Sequence, residues 1–103
     1  MSWAVVVTKP AEADLLAIGD YIAFQLKEPG TALRLLSKIE EKIMELSEFP
    51  ARCAFVREEE FRAQGYRKLF VENYTVFFTL SEQDQMVYIH RILYNKRNWI
   101  EII

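Results

Sequence analysis

Cations, aromatic rings and the single histidine crowd towards the C-terminal end of the chain. His90, Arg91, Tyr94, Lys96, Arg97 and Trp99 fall within ten residues, and Arg67 and Lys68 stand side by side earlier, in GYRKLFVENYTVFF. Guanidinium and ammonium groups beside aromatic rings suit a nucleic acid, because the cations hold phosphates while a ring stacks on a base. The same mixture suits a protein partner that carries carboxylates. Each residue also has a plainer reading. Arg67 and Lys68 read equally as solvated charges on a sheet edge, where charge discourages unwanted pairing. His90 reads as a packed, hydrogen-bonded ring. Arg91 stands among Val87, Ile89 and Leu93, where a cation costs desolvation unless a carboxylate relieves it, and a salt bridge to a helix acid would do so.

These side chains must be positioned by strands. From Tyr66 onward the apolar period is two, which predicts strands over Tyr66–Val71 and Tyr74–Leu80 across a tight Glu72-Asn73 turn, with Asn taking the left-handed conformation, and a third strand over Met86–Tyr94 after the SEQDQ turn. Strict alternation puts Arg67 with Leu69 and Val71 on one face and Lys68 with Tyr66 and Phe70 on the other. It likewise sets Met86, Tyr88, His90, Ile92 and Tyr94 against Val87, Ile89, Arg91 and Leu93.

Upstream the period changes. SWAVVVT at residues 2–8 reads as a strand, KP marks the entry to a helix with Pro10 in its first turn, and Thr8 or a neighbour is expected to cap it. Ala11, Leu15, Ile18, Ile22 and Leu26 recur at spacings of three and four, as do Ala32, Leu35, Leu36, Ile39, Ile43 and Leu46, so two helices flank EPG and fold back as an antiparallel hairpin. Residues 51–64 show no clear period and are expected to form a loop or an irregular strand. The fold class is α+β: an N-terminal strand, an antiparallel helical hairpin, then a C-terminal antiparallel sheet, all in one domain spanning residues 1–103.

The chain of 103 residues is 51% hydrophobic and 27% charged with a formal net charge of -2, so no global positive field points to nucleic acid. The charges are uneven: Lys9 to Glu60 holds seven Lys or Arg against eleven Asp or Glu, and Arg62 to Arg97 holds six against three. One Cys and one His exclude an internal disulfide and do not make a metal cage, so no metal and no cofactor is expected. The apolar run WAVVV is far too short to span a bilayer, and a cytoplasmic setting without membrane attachment fits best.

Three stretches, spanning most of the chain, resemble the RelE/ParE superfamily of toxins from bacterial type II toxin-antitoxin modules, also called plasmid stabilisation proteins. AEADLLAIGDYIAFQLKEPGTALRLLSKIEEKIMELSEFP is similar to the family's helical hairpin, GYRKLFVENYTVFF to its "G.R.L.V.NY.IFY" hairpin, and VYIHRILYNKRNW to its "V.I.RI.H..RD" ending. The resemblance implies a toxin held by a cognate antitoxin in a hetero-oligomer, and two trades. A RelE-like member enters the ribosome and cleaves messenger RNA by attack of a 2′-hydroxyl on the adjacent phosphate, which needs a base, an acid and cations. By resemblance Arg67, Tyr94 and Arg97 would be its catalytic residues; Arg91, His90, Lys96 and Trp99, picked out by residue type and placement, are the candidate binding residues on either reading. A ParE-like member inhibits DNA gyrase as an interaction toxin. RelE-type lysines are missing before GYR, where REEEFRAQ places three glutamates, and acids at a phosphate site repel substrate. That departure and the DYIA helix pattern favour the ParE-like reading over an endoribonuclease. An inactive structural or interaction member is the third reading. Trp99, Ile100, Ile102 and Ile103 are too apolar to lie idle in water, and either fold back on the core or meet the antitoxin.

Overall fold

The computed structural model describes residues 2–103. Strand β1 (Ala4–Val7) leads into helix α1 (Lys9–Asp20), a π-helical turn (Tyr21–Gln25) and helix α2 (Pro29–Met44). Two 3₁₀ turns (Glu45–Ser47 and Pro50–Arg52) and a short helix α3 (Glu59–Ala63) precede strands β2 (Arg67–Val71), β3 (Tyr74–Ser81) and β4 (Met86–Tyr94), and helix α4 (Trp99–Ile102) closes the chain. The expected α+β architecture is present. Residues 51–64 are more structured than their irregular pattern suggests: they hold a 3₁₀ turn, a helix and a single bridge between Phe55 and Arg67.

The strand order is β1-β4-β3-β2. The three C-terminal strands are antiparallel as expected, but β1 adds to β4 in parallel, Ala4 opposite Met86 through Val7 opposite Ile89, so the sheet is mixed. Two parallel strands need a long crossover between them, and here the helical hairpin and the β2–β3 ribbon supply it. Among the described residues, no helix is long and apolar enough to cross a membrane.

The helical hairpin covers one sheet face. Ile22, Leu35, Ile39, Ile43 and Leu46 pack on Val71, Val76, Phe78, Val87, Ile89 and Ile92, all buried. Removing each such side chain from water contributes about 1.5–3 kcal/mol. A smaller cluster on the opposite face buries Val56, Phe77 and Leu93 beneath Phe61, Tyr66, Trp99, Ile102 and Ile103.

Three details depart from the sequence pattern. A β-bulge shifts the register of β4, since Phe77 faces Arg91 while Phe78 faces Ile89, leaving His90 as the extra residue. Alternation therefore slips by one, and Ile92 joins Val87 and Ile89 on the helical side while Leu93 packs on the other face. The five residues from Met86 to Tyr94 expected to share a side do not. In the β2–β3 turn the left-handed residue is Glu72 (φ 52°), not Asn73. Finally, Thr8 holds the N-cap position of α1 as expected, but its hydroxyl makes no cap hydrogen bond and donates instead to the Ile89 carbonyl at 2.7 Å, tying the helix entry to β4.

Candidate functional site

Beyond Ile89, β4 has no strand partner on its β1 side, because β1 ends at Val7. Helix α1 runs along this open edge. Asp14 accepts the Ile92 backbone N–H at 2.9 Å and two guanidinium N–H groups of Arg91, Nε and Nη2, each at 2.8 Å. The carboxylate beside Arg91 holds its guanidinium even further above its ordinary range. Arg91 thus has the helix acid that its apolar neighbours on β4 call for, and a third N–H reaches the Ile102 carbonyl at 3.4 Å. Asp14 escapes a reading based on cations alone, although its position shows in the sequence: it interrupts the stripe of Ala11, Leu15 and Ile18.

Past this pair the hairpin and the sheet diverge into a cleft of about 890 Å³. Its floor is Ile18, Ile22, Leu35 and Ile92; Tyr21, Tyr74 and Tyr94 line it, and Arg97 stands at the rim. The rings of Tyr74 and Tyr94 meet edge to face, 5.5 Å between centroids. Burial first, and then the neighbouring phenols Tyr94 and Tyr21, push the Tyr74 hydroxyl above its usual range. The tight turn after β4 brings the Arg97 backbone N–H to the Tyr94 carbonyl at 2.9 Å, so these two candidates share one wall. Across the mouth, Arg34 of α2 donates to both carboxylate oxygens of Glu72, at 2.9 and 3.3 Å, which fixes the β2–β3 turn against the helices. Hydrogen bonding from Arg34 lowers the titration of Glu72.

Arg67 lies elsewhere. It opens β2 opposite Phe78, which faces Ile89, whereas Tyr94 pairs with Tyr74 and through it with Val71. Four residues along the sheet and two strands across it separate the Arg67 and Tyr94 backbones by about 16 Å. Arg67 is also occupied. One Nη1 donates to the Cys53 carbonyl at 2.6 Å and to the Ala51 carbonyl at 3.2 Å, and the guanidinium lies 3.9 Å from the centre of the Phe55 ring. It pins the loop between Pro50 and Val56 to the sheet corner. Burial pushes the neighbouring Cys53 thiol up despite Arg52 and Arg67 nearby.

The remaining candidates are on the second face or at its border. His90, placed by the bulge, shares a 2.8 Å hydrogen bond between Nε2 and the Thr79 hydroxyl, and its ring lies 5.1 Å from that of Tyr66. Burial lowers its pKa below the ordinary histidine value. Trp99 stacks on Phe77 with centroids 4.6 Å apart and leans on Phe61 at 5.0 Å. With Ile102 and Ile103 it folds the tail onto the domain, leaving Ile100 exposed. Lys68 sits near the exposed Phe70 ring, at 5.4 Å, and Lys96 lies in the exposed turn that leads to α4. The sequence candidates therefore form separate groups: Tyr94 with Arg97 in the cleft, Arg91 at the α1 contact, His90 and Trp99 on the far face, Arg67 at the corner.

A scan against protein families matches residues 5–99 to the ParE toxin of type II toxin-antitoxin system, parDE. The chain belongs to the ParE toxin family. No curated protein sequence matches it. Among solved structures it is similar to a chain of the chromosomal ParDE system from P. aeruginosa, with 26% identity and a TM-score of 0.74 over 90% of this chain and 96% of that one. A chain of the toxin-antitoxin complex RelBE2 from Mycobacterium tuberculosis shares the fold at 22% identity and a TM-score of 0.66, over 91% of this chain and 99% of that one. So does a double arginine mutant of the E. coli toxin RelE in the free state, at 11% identity and 0.67, over 99% and 93%. The chain is a member of the RelE/ParE superfamily of type II toxins.

Proposed function

We propose that this toxin acts as a ParE-like inhibitor of DNA gyrase, by binding and not by cleaving messenger RNA. The observation that carries the reading is the position of Arg67. Attack of a 2′-hydroxyl needs base, acid and cation around one phosphate, within hydrogen-bonding distance of it. Arg67 is about 16 Å along and across the sheet from Tyr94, and its guanidinium is engaged by two carbonyls and a ring. Trp99 and the apolar cluster around Phe77 cover part of the sheet face opposite the helices, beside a smaller cleft of about 270 Å³ where Arg57 and Lys68 stand with the acid Glu58.

The cleft walled by Tyr21, Tyr74, Tyr94 and Arg97 has the chemistry of a peptide site, an apolar floor with Arg97 and the Arg34–Glu72 pair at its edges, and we assign it to the antitoxin. A carboxylate on the bound segment would meet Arg97.

One observation keeps an RNA-cleaving reading in view, namely that Tyr94 and Arg97 line the same wall. Purified toxin is added to a gyrase supercoiling reaction and, separately, to ribosomes translating a labelled messenger. Inhibited supercoiling with intact messenger is expected. Codon-positioned cleavage that Arg97→Ala or Tyr94→Phe abolishes would replace the proposal with the nuclease reading. Silence in both assays and in a growth assay would mark an inactive member.

A further inference from the structure

Large apolar side chains are exposed on the side of the helical hairpin that faces away from the sheet. Leu16, Phe24 and Leu33 are 69%, 73% and 70% exposed, far beyond what packing on the sheet would leave. Scattered single cases mean nothing, but a grouped set marks a contact surface. These three are grouped. Leu16, Asp20 and Phe24 follow each other at intervals of four, which places them in one stripe along α1 and its π-helical extension.

Leu33 joins the stripe from the second helix. Gly19 is buried against Leu36, so closely that a Cβ on Gly19 would lie 2.8 Å from Leu36 Cδ1. That contact sets the antiparallel register. Leu33, one turn from Leu36 towards the hairpin's end, comes alongside the α1 turn that runs from Asp20 to Phe24.

The π-helical turn supplies a second, independent observation. Its wide hydrogen bond, from the Leu26 N–H to the Tyr21 carbonyl at 3.1 Å, interrupts the α1 pattern at the position where Ile22 is buried and Phe24 is turned to water. Such turns are rare and cluster at functional sites.

We propose that this outward face, Leu16, Phe24 and Leu33 around Asp20, is the surface that grips the toxin's target protein, through an apolar patch of the target rimmed by Lys or Arg. The inference rests on the reading of the chain as an interaction toxin. Charge selects the occupant. Asp20 stands in the middle of the stripe, Glu40 and Glu41 are exposed on α2, and the segment from Lys9 to Glu60 holds seven cations against eleven acids. A second copy of this chain docked here about a two-fold axis would set Asp20 against its own mate. A basic rim on a different protein relieves that repulsion and speeds encounter.

The test uses the full-length toxin with Leu16, Phe24 and Leu33 all changed to serine, and separately Asp20→Lys, in the gyrase supercoiling assay. The altered side chains are exposed, so the melting temperature and near-ultraviolet circular dichroism should match the unaltered protein and serve as the folding control. The triple serine variant is expected to need at least ten times more protein for half inhibition. Asp20→Lys should need several times more at low salt, with the difference shrinking at high salt. A folded triple variant that inhibits within twofold of the unaltered toxin overturns the inference and leaves the gyrase reading standing. An unaltered toxin that does not inhibit gyrase overturns the gyrase reading and this inference with it. A concentration-dependent dimer of the unaltered toxin, abolished by the serines, overturns the inference in favour of a second copy as occupant.

Discussion

Asp14 and Arg91, seventy-seven residues apart, close the open edge of β4: one carboxylate receives two N–H groups of the guanidinium at 2.8 Å and the backbone N–H of Ile92 at 2.9 Å. A single side chain thereby neutralises a cation and completes a strand edge that β1 is too short to cover. Both groups are largely withdrawn from water, with side-chain exposures of 13% and 25%. Asp14→Ala strands the guanidinium and orphans the amide together, and should cost about 2–3 kcal/mol, read from the urea unfolding midpoint. The exposed pair Arg34–Glu72 is the internal comparison, and Arg34→Ala should leave the midpoint nearly unchanged. Equal losses from the two substitutions would sink this account of the edge.

The Gly19–Leu36 contact sets helix spacing at the cost of helix propensity. Alanine at 19 would gain about 1 kcal/mol of propensity, but its Cβ would press on Leu36 and cost about 1–3 kcal/mol. Gly19→Ala alone should therefore be neutral to destabilising. Combined with Leu36→Ala, it should recover its intrinsic benefit, so that the pair is more stable than the sum of the single changes by about 1 kcal/mol or more. Strict additivity would show that the two helices do not meet there.

The elements were legible because each carries its own period: the stripes from Ala11 to Leu26 and from Ala32 to Leu46 give the hairpin, and the alternation after Tyr66 gives the ribbon. What was not legible lies where a long-range contact overrides a local rule. His90 looks like one more alternating residue, and only its pairing with β3 reveals the bulge that sends Ile92 inward. Asn73 is the better left-handed residue by intrinsic preference, yet Glu72 takes that conformation, held by Arg34 across the cleft. Residues 51–64 lack a period because their order comes from outside themselves, from Arg67 bound to the Ala51 and Cys53 carbonyls and from Phe61 under Trp99. The cations of the candidate site were visible as residue types, but their separation was not, because sequence proximity says little about two ends of a sheet.

His90 gives the fold a dependence on pH. Burial lowers its folded pKa below the ordinary value of 6.5, so between the two values the unfolded chain binds more protons than the native one. Stability is then full above pH 6.5 and falls as the pH drops through that value towards the folded pKa. The melting temperature should decrease between pH 7.5 and 5.5, a range above the ordinary carboxylate values. His90→Gln keeps a hydrogen-bonding partner for Thr79 without the titration, and should flatten that decrease. An equally steep decrease in the variant would place the pH dependence elsewhere.

Arg67 separates a structural role from a catalytic one. Its guanidinium bridges two carbonyls and covers the Phe55 ring, a planar geometry that lysine cannot reproduce. Arg67→Ala should cost about 1–2 kcal/mol through the lost charged hydrogen bonds and ring contact, and Arg67→Lys should lose most of the same amount. On the proposed reading, in which Arg67 secures the loop, growth inhibition by either variant, normalised to the amount of folded toxin, should stay within about threefold of the unaltered protein. A catalytic arginine behaves differently: loss of one transition-state contact lowers the rate by about a hundredfold or more while leaving the fold intact. Unfolding midpoints and toxicity measured on the same preparations distinguish the cases. A stable but harmless Arg67→Ala toxin would return Arg67 to the active site, and with it the nuclease reading of the whole fold.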